Sequence, residues 1–361
     1  MPDIGKEKLV ASTEVFFPDA VVVTDCSALT NEEWKKYRQL GIGGSDAAVV
    51  MDCSPWKTKK ELYYEKIGAP VLLDDEDKWF IFEYGHAIED LVAKMFQKKT
   101  GFEVIIDTRM YRHPKYPFMQ ANVDRVVCLP DGRIAILECK TTNFFNKEAW
   151  YTGPPRYYEM QCRHYMAVCN VDVVYIACLF GNTPADFVCH RIERDLDYES
   201  DIIEAEKDFW ENYVLAGIEP DCSGDGEMDI AVLRKYSGPA NTKLPPVVLE
   251  SEYIPHVKKY LNAVEKRKKQ EAIVESLKQQ EKNLQIPFWE ALGTATKGII
   301  EIPGEPDSYY EISISPRSRT NVNTDRLRLA YPEVYTECVT INEESSRVFS
   351  AKKKKKKHKK E

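Results

Sequence analysis

The sequence lacks a Cys-x-x-Cys pair, a run of about eighteen apolar residues, and an amino-terminal stretch in which a basic patch precedes an apolar one. Each absence excludes something. The ten cysteines are scattered, and several fall on strand-like apolar runs, as Cys169, Cys178 and Cys189 do. Zinc and iron–sulfur sites need closer spacing, so these are read as reduced, mostly buried thiols of a cytosolic protein. Without a long apolar run no membrane span is expected. The opening MPDIGKEKLV is not a secretory signal, and the expectation is a cytoplasmic protein. No internal repeat is present. A positive net charge is missing too: 361 residues carry a formal charge of -8.

What is present is unevenly distributed. Residues 352–360, KKKKKKHKK, hold eight lysines, and without that tail and Glu361 the body has 42 basic against 57 acidic residues, a net of -15. An acidic body with a lysine tail suits a tethered arm for a polyphosphate such as DNA. A nuclear import signal and a solubilising tail are the alternatives. Hydrophobic content of 43% supports a substantial core.

Periodicity and punctuation give the organisation. Asn31 is placed as the cap of a helix through EEWKKYRQL, and Ser45 as the cap of DAAVVMDC after the break GIGG. Thr58 caps a helix that ends at Gly68, and a long helix is expected from Lys78 to Thr100. Strands follow at 102–106 and 110–112, then a hairpin at 119–128 and 133–140. A helix at 157–169, strands at 172–180 and 186–193, and a helix at 197–216 complete a mixed α/β sandwich. The domain reading is 1–220 as one unit, 221–250 as a Gly/Pro/Ser-rich linker, 251–351 as a helix plus a small α+β module, and 352–361 as the lysine tail. In the charged helix at 251–284, the stripe Val257, Leu261, Val264, Leu277, Leu284 is expected to pack on its own domain. The later elements are strands at 298–302 and 308–315, a helix at 324–331 and a strand near 345–350.

The densest chemical signal is NVDRVVCLPDGRIAILECK, residues 122–140. Pro130 and Asp131 suit a type I turn and Gly132 the left-handed position after it, a three-residue hairpin loop. Pairing Leu129 with Arg133 sets Asp124 opposite Glu138. Opposite residues hold their Cβ atoms about 4.5–5.5 Å apart, and Ile134, Ile136, Glu138 and Lys140 share one face. Two carboxylates and a lysine on one side of a hairpin suit Mg²⁺ and a phosphate, and read as a metal-dependent phosphodiester hydrolase site. An amphipathic hairpin with charged ends is the bland alternative.

Three further groups accompany it. Arg38 lies seven residues before Ser45 across LGIGG, a glycine-rich approach to a helix that could grip phosphate oxygens. A plain capped turn is the alternative. Glu89 shares a helical stripe with Phe82, Gly85, Val92 and Ala93, where a carboxylate is costly unless it binds something. An exposed Glu beside Asp90 is the alternative. Gln161 and Tyr165 stand at i and i+4 on one helical face. His164 between them is left without a role.

Taken in order, R-x6-S around GIGGSD, the following SPW, G-x-x-x-E, D…E-C-K and Q-x3-Y resemble the YqaJ-like phage recombinase family, grouped with lambda exonuclease in the PD-(D/E)XK nuclease superfamily. The resemblance covers about residues 35–215. It implies a central mixed sheet flanked by helices and a 5′→3′ exonuclease that degrades one strand of duplex DNA, exposing a 3′ strand for recombination. It implies Mg²⁺, with Mn²⁺ as the alternative, on Asp124, Glu138 and the Cys139 carbonyl. Lys140 would be the water-orienting base and Glu89 an upstream acidic residue. Arg38 and Ser45 would take the 5′-terminal phosphate, and Gln161 and Tyr165 would line the site. Double-stranded DNA ends as substrate, a single-strand annealing protein, a trimeric ring and a phage or prophage origin in a bacterial host are further implications. RTNVNTDRLRLAYPEVY resembles carboxy-terminal extensions of some phage members, and Arg317, Arg319 and the lysine tail could grip DNA there. An endonuclease or nickase on the same core, and a DNA-binding scaffold without activity, are the competing classes.

Overall fold

The computed structural model describes residues 15–73, 79–241, 243–305, 308–314 and 322–338. Lys78, Arg317, Arg319, the strand expected near 345–350 and the lysine tail lie outside the described residues. The chain divides into two units, Met1–Pro239 and Ala240–Glu361. In chain order the first unit contains β1 (Val21–Asp25), α1 (Asn31–Gln39), β2 (Ile42–Gly43), α2 (Gly44–Val50), α3 (Lys59–Lys66) and α4 (Trp79–Thr100). It continues with β3 (Glu103–Ile105), β4 (Arg109–Arg112), β5 (Met119–Asn122), β6 (Arg125–Cys128), β7 (Ile134–Thr141) and α5 (Arg156–Cys169). β8 (Val173–Leu179), β9 (Phe187–Glu193), α6 (Leu196–Phe209) and α7 (Gly226–Ser237) complete it.

Two mixed sheets result. One has the order β3-β6-β7-β8-β9, antiparallel except where β7 runs parallel to β8. The other has the order β1-β4-β5-β2, antiparallel except at the short β2–β5 pair. β7 is the central strand, and both its faces are covered. Ala135, Leu137 and Cys139 pack with Val92, Ala93 and Phe96 of α4, while Ile136 packs with Cys162 and Met166 of α5. Each fully buried large apolar side chain here contributes about 1.5–3 kcal/mol. The period of two therefore places Glu138 and Lys140 on the face toward α5. This is the mixed α/β architecture with flanking helices that the sequence pattern predicts.

The helix ends follow local chemistry. Thr30, not Asn31, caps α1, in a reciprocal capping box with Glu33. Thr58 caps α3 by accepting the Glu61 amide, and Gly68 follows at φ +67. α5 stops at Asn170, which adopts φ 51 and returns its N–H to Met166. His164 of α5 is fully buried; its Nδ1 lies 2.7 Å from Glu206 of α6 and its Nε2 donates to the Gln120 carbonyl of β5 at 2.8 Å. That imidazole joins three elements and is structural.

Besides the Thr30 cap, four expectations need correction. The strand expected at 119–128 is two strands in different sheets, because the chain kinks at Val123–Asp124. Ser45 does not cap α2: Gly43 is the cap residue, and Ser45 lies in the first turn, where its hydroxyl accepts from Arg38. Residues 226–237, expected to be linker, form α7. That helix is capped by Asp225 and attached to the first unit through Lys235–Glu61 at 2.8 Å and the Tyr64–Tyr236 ring pair. The fourth lies in the second unit, which holds α8 (Ile254–Leu292), the β10 (Lys297–Glu301) and β11 (Tyr309–Ser313) hairpin, α9 (Thr324–Ala330) and α10 (Pro332–Cys338). α8 extends past the expected end at 284, and none of its residues is buried, so the stripe at Val257, Leu261, Val264, Leu277 and Leu284 does not form a packed core face. None of the ten cysteines forms a disulfide. No helix among the described residues is long and apolar enough to cross a membrane.

Candidate active site

The hairpin forms in the register its turn dictates. The Leu129 amide donates to Arg133 and the Gly132 amide to Leu129, each at 2.9 Å, with Gly132 at φ +84. Cys128 pairs with Ile134 and Arg125 with Leu137, so the next position along sets Asp124 beside Glu138. The kink at Asp124 has a physical cause. Its carboxylate leaves the ladder to accept the Cys139 amide at 2.8 Å. The side chain just before β6 is thereby held on the backbone between Glu138 and Lys140.

Glu138 is 1% exposed. Its Oε1 accepts from Lys140 Nζ at 2.6 Å and from Gln161 Nε2 at 2.6 Å, while its Oε2 is buried and accepts nothing. A buried carboxylate oxygen with no donor is costly. Burial and the nearby Asp124 push the Glu138 carboxyl up to about 8. Burial works against the Lys140 charge, but Glu138 and Asp124 outweigh it and hold the ammonium above the ordinary lysine range. Lys140 also lies 5.0 Å from the ring centre of Tyr158.

Glu89 of α4 is half-buried, 3.8 Å from Arg125. Burial and Asp124 lift its carboxyl to about 7. Arg125, which the sequence pattern did not single out, also pairs with Asp90 and donates to the Asp124 carbonyl at 2.6 Å. It thus ties α4 to the end of β6. Among the described residues no three His, Cys, Asp or Glu side chains form a ready metal cage. Glu89 faces Arg125 at 3.8 Å. Asp124 and Glu138, the latter with an unpartnered oxygen, stand beside the backbone of Cys139. That donor set fits Mg²⁺, which retains several waters.

The Arg38–Ser45 group forms a second cluster. Arg38 Nη2 donates to Ser45 Oγ at 3.2 Å and to Asp46 Oδ2 at 3.0 Å. Asp46 Oδ2 also accepts the Gly43 amide at 3.0 Å and Lys66 Nζ at 2.8 Å. Burial opposes the Asp46 charge, but Arg38 and Lys66 overcome it and hold the carboxyl far below the usual range. Sequence reasoning passed over Asp46 and Lys66. The available signal was an acidic residue three positions after Gly43, which is a capping-box spacing.

The glycines of GIGG bring the clusters together. A Cβ on Gly43 would stand 1.4 Å from Arg38 Nη1, and one on Gly44 would stand 2.5 Å from Tyr165 Cε1 and 3.0 Å from Gln161 Cγ. On Gly41 it would meet the Phe118 carbonyl oxygen at 2.5 Å. Only bare backbone fits there. Gln161 completes the link by donating to both Glu138 and Tyr165 Oη, the latter at 2.9 Å. Asp124, Glu138, Lys140, Gln161 and Tyr165 are thus joined directly or through the Cys139 amide, the Arg38–Ser45 pair adjoins them across the glycine loop, and Glu89 reaches their edge through Arg125.

Comparison with known proteins places the chain in a family. Residues 33–172, which contain every one of these side chains, match the model of the YqaJ-like viral recombinase domain. The chain is 31% identical over 319 residues to the uncharacterized protein YqaJ of Bacillus subtilis (strain 168), covering 88% of this chain and 93% of that protein. Among solved structures, an alkaline exonuclease from Laribacter hongkongensis is 22% identical with a TM-score of 0.43, covering 52% of this chain and 95% of that one. A phage related exonuclease from Haemophilus somnus 129PT is 14% identical with a TM-score of 0.37, covering 51% and 99%. On the length and identity of the Bacillus match, together with the domain match, the chain belongs to the YqaJ-like viral recombinase family.

Proposed function

We propose that this protein is a metal-dependent exonuclease that degrades one strand of double-stranded DNA from a 5′ end, leaving a 3′ single strand for recombination. The observation that carries the reading is the Glu138 carboxylate. It is buried opposite Asp124, with one oxygen held by Lys140 and Gln161 and the other with no partner. Asp124, Glu138 and the Cys139 carbonyl would hold Mg²⁺ or Mn²⁺, which supplies Lewis-acid polarisation of the phosphate when bound. Lys140 keeps its proton beside Glu138 and Asp124, so it orients the attacking water and offsets charge on the phosphate rather than removing a proton. Gln161 fixes Glu138 against α5. Arg38 and Ser45 offer a cationic fork and a hydroxyl for the terminal phosphate. Glu89 supplies negative charge at the edge of the site. In a recombination pathway the exposed 3′ strand needs a single-strand annealing protein, and a homo-oligomer, the trimeric ring of the resemblance, is the assembly we propose.

The test uses linear duplexes with 5′-phosphate or 5′-hydroxyl ends beside a closed circle, with Mg²⁺ and with Lys140→Ala as control. Release of nucleotides from phosphorylated ends, with the circle intact, supports the reading. Nicked circles would make it an endonuclease, and no cleavage of any substrate would make it a scaffold. Arg38→Ala is expected to reduce the preference for 5′-phosphate by about tenfold, a loss of about 1.4 kcal/mol. An unchanged preference removes Arg38 from the phosphate pocket.

A further inference from the structure

Beyond the charged groups, the site has an aromatic wall that the proposed chemistry does not use. Tyr158, on the first turn of α5, lies 5.0 Å from Lys140 Nζ. It packs 4.5 Å from Tyr157 and 5.4 Å from the buried ring of Trp150, measured between ring centres. Tyr157 in turn meets Trp56 edge-to-face at 4.6 Å, and Trp56 stands 5.8 Å from Tyr158. The rings run without a gap from Lys140 to the surface. At the outer end Trp56 is 63% exposed.

The exposure of Trp56 does not come from a loose loop. Ser54 Oγ accepts the amides of both Trp56 and Lys57 at 3.3 Å, and Thr58 begins α3 two residues later. Cys53 and Ser54 amides return to the Ala48 carbonyl at 2.9 and 3.0 Å. Lys57 is anchored to Glu65 at 2.6 Å. A braced turn therefore holds a large apolar ring in water beside two other rings. Burial of such a ring is normally favourable, yet among the described residues most of its surface stays open.

We propose that Trp56, Tyr157 and Tyr158 form a stacking ledge for unpaired bases of the strand being cut. The inference rests on the nuclease reading and extends it to how the strand is held. A strand that enters the Lys140 site alone has left its complement, and its bases expose their flat faces. Neighbouring bases on one strand are about 3.4 Å apart along a duplex, so a ring 5.0 Å from Lys140 Nζ is within reach of the nucleotides flanking the reacting phosphate. Every base has a π-face, so the ledge holds the strand whatever its sequence, as degradation along a whole duplex requires. An exposed indole that docked a protein would have no reason to continue ring by ring to Lys140.

The test measures binding of a 5′-phosphorylated oligodeoxyadenylate of about twelve nucleotides to the full chain, without added divalent metal so that nothing is cut. Abasic sugars replace the bases one at a time. In the wild type, one or two positions near the 5′ end are expected to lose affinity on the order of tenfold. Trp56→Ala should bind the intact strand about tenfold more weakly and be indifferent to the abasic change at those positions, while Trp56→Phe keeps most of the affinity. Equal abasic losses in wild type and Trp56→Ala, or no abasic loss anywhere in the wild type, overturn the ledge. If Trp56→Ala does not fold, the wild-type abasic scan with Trp56→Phe still decides. Failure of the nuclease reading looks different: no cleavage of linear duplex by the wild type when metal is supplied.

Discussion

Two carboxylates, Asp46 and Glu138, are buried in the same domain to nearly the same depth, at 2% and 1% exposure. Their surroundings are opposite. Asp46 is met by Arg38, by Lys66 and by the Gly43 amide, and its carboxyl is held far down. Glu138 has one lysine and one amide on a single oxygen, faces Asp124, and is pushed up to about 8. A saturated buried charge holds a fold in place. A buried charge left short of cations is unstable alone and becomes useful when something positive arrives. The first fixes the glycine loop; the second is suited to a metal and a phosphate.

Removing Asp46 should break the saturated side of this contrast. Asp46→Ala leaves Lys66 and Arg38 with a missing partner, and Lys66 is 4% exposed at its side chain. Loss of one member of such a buried pair costs about 3–5 kcal/mol, to be read by denaturant unfolding. A change under about 1 kcal/mol would show that water replaces the carboxylate easily. On the unsaturated side, Lys140→Ala should act on rate more than on stability. A transition-state donor of this kind contributes about 100- to 1,000-fold, with single-strand binding little changed. Near-normal turnover would remove Lys140 from the chemistry.

The contrast also has a pH signature. Glu138 in the metal-free protein keeps its proton up to about 8, against 4.5 for an ordinary glutamate. Between those values the folded state holds a proton that the unfolded chain has released, so stability falls as the pH rises across the window. The raised Glu89 carboxyl acts with the same sign up to about 7. Thermal midpoints of metal-free wild type should therefore decline from about pH 5 to about 8 more steeply than those of Glu138→Gln. Parallel slopes would mean that Glu138 is already ionised.

How much of this the sequence disclosed depends on the range of the forces involved. The hairpin register was legible because a three-residue turn fixes pairing locally, and pairing then places Asp124 and Glu138. The break at Asp124 was not, because its cause is a bond to the Cys139 amide fifteen residues away. Ser45 was misread as a cap because Gly43 has no side chain to announce the true one. α7 was hidden by the glycine-rich stretch before it, although Asp225 was a usable capping signal. The ring row from Lys140 to Trp56 joins three separated segments and leaves no local trace. The second unit gave the reverse lesson: an apolar stripe on α8 was visible, but no residue of that helix is buried.

The smallest change that bears on the comparison is Gly44→Ala, because Gly44 is where the saturated and unsaturated clusters touch. A methyl group there would stand 2.5 and 2.7 Å from Tyr165 ring atoms and 3.0 Å from Gln161 Cγ. Tyr165 is 5% exposed and has little room to retreat. Overpacking of this kind costs about 1–3 kcal/mol. The strain would be relieved mainly through α5, whose Tyr165 and Gln161 the methyl meets and whose Gln161 holds Glu138, rather than through Asp46, which the methyl does not meet. Gly44→Ala is therefore expected to lower turnover by a larger factor than it weakens binding of the 5′-phosphorylated end. If end binding falls as much as turnover, the glycine loop and the Glu138 site move as one body, and the two clusters are a single device rather than a scaffold beside a reaction centre.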